Sequence, residues 1–168
     1  MTPAEIAQII ENLKSKHSVD LNGISNVLMK KIAISIAYPL SYIIDCSITE
    51  GCFPEAWKNI KIIPIFKKKG SSLELTNYRP IAIINAFSKI TEIAIQKRIV
   101  PFLEKNGAFN QMQFGFRNNR SVHEAITLNL NYIAQSINEN YFAGNLLLDV
   151  KKAFDCVDRE FLLAKLEK

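Results

Sequence analysis

Apolar residues recur along this chain with two different periods. Near the N-terminus, Ile6, Ile9, Ile10 and Leu13 fall on one helical face. Thr2, Pro3 and Glu5 supply an N-cap, a proline at the first helical position and the glutamate of a capping box. A short helix is therefore predicted to about Lys14, followed by a polar loop from Lys16 to Gly23. Helical spacing returns from Ile24 to about Thr49, with Pro39 expected to kink or break it, and Gly51-Cys52-Phe53-Pro54 ends it. The period then shortens to two. Ile60-Lys61-Ile62-Ile63-Pro64-Ile65-Phe66 alternates and is rich in isoleucine, which predicts a strand. Pro64 confines it to a sheet edge or a bulge. Tyr78 to Ile84 reads as a second strand, so the pair is expected to form a β-hairpin with a long, basic tip.

Further on, Phe87 to about Glu104 has helical spacing, with Pro101 a disfavoured residue near its end, and Asn106 to Asn119 reads as a loop. Ser121 and Glu124 form a second capping box, for a helix to about Asn138. Gly144 separates it from an apolar run, Asn145 to Val150, predicted to be a buried strand. A last helix starts at about Asp158, with Leu162, Leu163 and Leu166 on one face. Helices mixed with a few strands, without regular βαβ alternation, give an α+β fold. No internal repeat, low-complexity tract or linker interrupts the pattern.

One position in that pattern carries chemistry. Leu146, Leu147 and Leu148 are followed by Asp149 where the expected strand emerges. A carboxylate beside a dry core needs a partner or a metal. Asp149 is thus a candidate ligand for a hard cation, and a bound cation points to phosphate chemistry. Asp158 is better placed to cap the last helix, and Asp155 to order the turn before it.

Charge adds a second pointer. The net charge is +5 and the pI about 9.1, but the excess is local. Nine basic residues lie from Lys58 to Arg98 against Glu74 and Glu92 alone, a local excess of seven positive charges on an otherwise slightly acidic chain. Such a region fits a polyanion, or a solvated basic face with no partner. The remaining composition mainly excludes. With 48% hydrophobic and 22% charged residues the chain is globular rather than disordered. The apolar stretch from Ile32 to Ile44 is broken by Ser35, Pro39 and Ser41, so no membrane helix is expected. Met1-Thr2-Pro3-Ala4-Glu5 has no basic leader. Cys46, Cys52 and Cys156 form no Cys-x-x-Cys pair, and His17 and His123 stand alone, so free thiols are expected, with no disulfide and no zinc site. An intracellular protein follows.

Three segments together resemble a known family. They are Ile65-Phe66-Lys67-Lys68-Lys69-Gly70 leading to Asn77-Tyr78-Arg79-Pro80-Ile81, then Gln113-Phe114-Gly115-Phe116-Arg117, then Leu148-Asp149-Val150-Lys151-Lys152-Ala153-Phe154-Asp155. In this order and spacing they look like the reverse transcriptase domain of non-LTR (LINE-type) retrotransposons. Gly51 to Lys58 is similar to the segment that precedes the fingers there.

The resemblance implies the fingers and partial palm of a right-hand polymerase. The implied parts are a helical region to about residue 57, fingers over about 58–144 and the start of a palm over about 145–168. It implies two-metal nucleotidyl transfer with Mg2+, an RNA template, a DNA primer and a deoxynucleoside triphosphate, and a nuclear location. Asp149 matches the first catalytic carboxylate and Val150 a backbone metal ligand. Lys67, Lys68, Lys69 and Arg79 match the nucleotide-binding hairpin, and Arg117 the residue facing the template. Phe154 matches the aromatic under the sugar. On the residues alone, the three lysines also fit a solvated tip and Phe154 a plain core position.

The family's second carboxylate belongs to an Ala-Asp-Asp turn that does not occur in these residues. The expectation is therefore a polymerase fragment that is inactive by itself. The alternatives are a non-catalytic nucleic-acid-binding remnant and an unstable piece with exposed apolar surface.

Overall fold

In the computed structural model, residues 1–150 and 153–167 are described. Contacts group the chain into two compact units, Met1–Phe109 and Asn110–Lys168.

The first unit is built on helices whose ends are written in the sequence. In α1, Pro3–Glu11, Thr2 Oγ1 accepts from the Glu5 amide and the Glu5 carboxylate accepts from the Thr2 amide at 2.8 Å, which is the predicted capping box. The Thr2 amide, and then Arg98 at 3.2 Å, hold the Glu5 carboxyl below its ordinary pKa. Helix α2, Asn26–Lys31, is capped by Ser25, and α3 runs Ala33–Thr49. The break thus falls at Ile32, not at the expected Pro39, which lies inside α3. Proline removes the donor to the carbonyl four residues back. Here that carbonyl is on Ser35, and both Ser35 and Pro39 are exposed, so solvent can satisfy it. Pro101 behaves alike within α4, Ala86–Lys105, opposite exposed Lys97.

Helix α3 ends in a Schellman motif, with Gly51 at φ 63° and the Cys52 amide donating to the Ser47 carbonyl at 3.0 Å.

The core joins Ile6, Ile9, Ile10 and Leu13 to Met29, Leu40, Ile44, Trp57, Ile90 and Ala94. Trp57 stacks on Phe87 at 5.8 Å, and Phe53 meets it edge-on. Ser88 Oγ donates to the Trp57 carbonyl, tying α4 to the segment before the hairpin. Sequence reading missed one buried charge, Asp20, which is only 5% exposed. Its Oδ1 accepts from the amides of Asn22 and Ile24, each at 2.9 Å. Its Oδ2 accepts from the Ala86 amide at 3.0 Å, at the N-terminus of α4.

Strands β1, Ile60–Phe66, and β2, Tyr78–Ile84, pair antiparallel from Ile60↔Ile84 to Phe66↔Tyr78, as expected. Pro64 sits opposite Pro80. The Lys67 amide donates to the Asn77 carbonyl at 2.8 Å. Ladder bonds alternate from that pair, so the two prolines share a site where no donor is needed. No bulge is required.

In the second unit, α5, Val122–Asn138, and α6, Arg159–Leu166, start where predicted, at the Ser121 and Asp158 caps. The expected strand from Asn145 to Val150 is not formed, and Leu147 is 93% exposed. The only described sheet is the β1–β2 hairpin. A strand is stable only when a neighbour takes up its amides and carbonyls, and no described segment does so here.

Candidate nucleotide-binding and catalytic site

The hairpin brings four of the candidate residues onto one element. Period-two alternation puts Lys61, Ile63 and Ile65 on one face with Arg79, Ile81 and Ile83. Arg79 stands opposite Ile65, one step from the tip. The other face is aliphatic and aromatic, from Ile60 and Ile62 to Phe66 and Tyr78, whose rings meet at 5.3 Å.

The tip is ordered by its own polar groups. Asn77 Nδ2 donates to the Ser71 carbonyl at 2.8 Å and to Glu74 Oε2 at 3.1 Å, and Tyr78 Oη donates to the Ser72 carbonyl. Lys67 Nζ donates to the Thr76 carbonyl at 2.7 Å, so this lysine closes the tip. Lys68 has a left-handed backbone, φ 55°. Lys68, Lys69 and Arg79 are exposed. Lysines as point charges beside a guanidinium fork suit a phosphate chain.

Gly70 sets the shape of this tip. Its φ is 78°, and a Cβ there would lie 2.5 Å from Asn77 Nδ2. We expect Gly70→Ala to displace Asn77 and loosen the tip, destabilising the hairpin by about 1–2 kcal/mol. Hydrogen exchange of the Lys67 and Asn77 amides reads this directly. Protection equal to wild type would refute the role given to Gly70.

In the second unit, Asp149 and Val150 lie on the exposed stretch that follows α5. Lys151 and Lys152 of the motif lie outside the described residues. Phe154 follows in a turn and is 80% exposed, so it is not the core phenylalanine that its type alone allows. Its ring meets Phe116 edge to face, with centroids 6.0 Å apart and planes at 87°. Arg117 Nη1 donates to the Asn110 carbonyl at 2.8 Å. Arg120, not singled out by sequence reading, lies 5.5 Å over the Phe114 ring and 3.9 Å from Glu124. The second arginine three positions after Arg117 was the signal for it. Phe114, Arg120, His123, Glu124, Thr127 and Leu128 line an open cleft of about 410 Å3.

Among the described residues, no three His, Cys, Asp or Glu side chains come together as a metal site. Asp149 and the Val150 carbonyl offer hard oxygen donors. Mg2+ binds through one or two carboxylates, with water and substrate phosphates completing its shell. The donor chemistry fits one carboxylate's share of such a site. No disulfide joins Cys46, Cys52 and Cys156, and no described helix is long and apolar enough to cross a membrane.

Comparison with known proteins adds to this geometry. A profile described as "Reverse transcriptase (RNA-dependent DNA polymerase)" matches residues 66–168. The chain is 26% identical to a "Probable RNA-directed DNA polymerase from transposon BS" of Drosophila melanogaster, covering 99% of this chain and 19% of that protein. It is 27% identical to an "RNA-directed DNA polymerase from mobile element jockey" of Drosophila funebris, covering 98% and 18%. It is 28% identical to a "Probable RNA-directed DNA polymerase from transposon X-element" of Drosophila melanogaster, covering 92% and 17%. The chain spans less than a fifth of the length of these relatives.

Proposed function

The chain belongs to the reverse transcriptase family, among the non-LTR, LINE-type retrotransposon polymerases, and we propose that it forms the fingers and the start of the palm of a longer RNA-directed DNA polymerase. One observation carries this reading. The family profile runs from the hairpin tip through the Gln113–Arg117 loop to Asp149 and beyond. In this reading residues to about 57 brace the fingers, about 58–144 form them, and about 145–168 begin the palm.

The reaction joins a deoxynucleoside triphosphate to a DNA primer on an RNA template. The primer 3′-hydroxyl attacks the α-phosphate, and pyrophosphate leaves. Lys68, Lys69 and Arg79 bind the triphosphate, and Lys67 keeps the tip that carries them closed. Arg117 faces the template. Phe154 lies under the sugar, where a 2′-hydroxyl would collide with its ring. Asp149 and the Val150 carbonyl would hold magnesium. When bound, two such ions lower the pKa of the attacking hydroxyl and stabilise the leaving pyrophosphate. A nuclear location belongs to the same reading.

The 168 residues contribute one of two carboxylates in this scheme, so by themselves they do not extend a primer. That favours a second reading for the isolated chain, a nucleic-acid-binding piece without catalysis. Both readings predict salt-sensitive binding. With about three phosphate contacts from Lys68, Lys69 and Arg79, log affinity for single-stranded RNA falls with log salt at a slope of about −2. Substituting Lys68→Ala together with Lys69→Ala flattens the slope by about 1.4. Fluorescence anisotropy over a salt series measures it. An affinity indifferent to salt, or a slope indifferent to the two substitutions, removes the hairpin from the interface.

A further inference from the structure

We infer that Phe116 is a positioning residue for Phe154, fixing the ring that discriminates the sugar. This rests on the reading above, in which Phe154 lies under the sugar.

The backbone of Phe116 is unusual for its type. Its φ is 60°, in the left-handed region where a bulky aromatic is an outlier. The other non-glycine residues there in this unit, Asn119 and Asn140, are of the type that tolerates it. Asn140 also ends α5, its amide donating to the Ile137 carbonyl at 3.0 Å. Phe116 closes no helix. Instead side-chain bonds tie the residues on either side of it within the same loop. Gln113 Nε2 donates to the Gly115 carbonyl at 3.3 Å, and Arg117 Nη1 to the Asn110 carbonyl at 2.8 Å.

Burial does not explain the arrangement either. Phe116 is 93% exposed. The aromatic ring it meets, among the described residues, is that of Phe154, in the edge-to-face geometry that ring quadrupoles favour. An exposed phenylalanine in a turn has free rotamers, and free rotamers cannot exclude one hydroxyl. A strained neighbour that contacts it in one orientation removes that freedom. Strain of this kind persists where the surroundings over-determine it, and it collects at functional sites.

The test is the ratio of deoxynucleotide to ribonucleotide incorporation by the complete polymerase, read on an RNA template with thermal denaturation alongside. Phe154→Val should lower the ratio about tenfold or more. Phe116→Gly, which suits the left-handed backbone, should lower it about tenfold with no loss of melting temperature, and Phe116→Tyr should restore it. A purely structural Phe116 predicts the reverse, a lowered melting temperature with the ratio intact, and that overturns the inference. If Phe154→Val leaves the ratio unchanged, the sugar reading itself falls and the inference with it. Independently, the 168-residue chain should show NOEs between the two rings, and their absence overturns the contact.

Discussion

Replacing Asp149 by alanine in the complete polymerase is expected to slow primer extension about 10³-fold or more, without lowering the melting temperature. The two halves of that expectation have different origins. In the proposed reading Asp149 supplies a carboxylate to magnesium, and a hard cation held by few protein oxygens depends heavily on each of them. The lost stabilisation falls on charge that develops during phosphoryl transfer, where a single preorganised group is worth about 10²–10³ in rate and a metal ligand more. Stability is untouched because Asp149 lies in an exposed stretch outside any described helix or strand. Asp149→Asn keeps the volume and loses the charge, so it should fail like alanine. Single-turnover extension and thermal denaturation together decide it. Extension that survives Asp149→Ala refutes the assignment, and a collapse of melting temperature would make the residue structural.

The opposite pattern is expected at Asp20. Asp20→Ala should destabilise the first unit by about 3 kcal/mol or more, lowering its melting temperature by about 10 °C. The carboxylate is buried and accepts three backbone amides, those of Asn22, Ile24 and Ala86. Alanine leaves all three donors without their acceptor, and an abandoned buried amide costs about 1–3 kcal/mol. Two of the bonds shape the loop between α1 and α2, and the third pins that loop to the start of α4. Charge also matters, because a negative group at a helix N-terminus complements the macrodipole. Asp20→Asn should therefore recover only part of the loss. Denaturant unfolding measures both variants. A midpoint for Asp20→Ala within error of wild type contradicts this account.

Features governed by near neighbours were legible in the sequence, and those governed by distant ones were not. Thr2 with Glu5, Ser121 by accepting from the Glu124 amide, and Asp158 all cap the helices assigned to them, because a cap is completed within three residues. The two strands of the hairpin were legible in their apolar composition and alternation. Pro39 misled as a break because a proline's effect depends on which side of the helix meets solvent, a tertiary fact. Leu146 to Leu148 misled for a related reason. Three leucines announce burial but not the partner that provides it, and no described strand pairs with them. Asp20 was invisible because its deepest bond reaches across 66 positions. At the candidate site, Asp149, Arg79 and Phe154 were singled out by their motifs. The contact of Phe116 with Phe154 was not, since it joins two rings far apart in the sequence.

RNA-templated extension of a labelled DNA primer tests the central claim most directly. The complete polymerase, supplied with deoxynucleoside triphosphates and magnesium, should lengthen the primer, while the 168-residue chain binds the same primer and template without lengthening it. If the complete polymerase leaves the primer unextended, or extends it with the RNA template omitted, these residues do not serve an RNA-directed DNA polymerase.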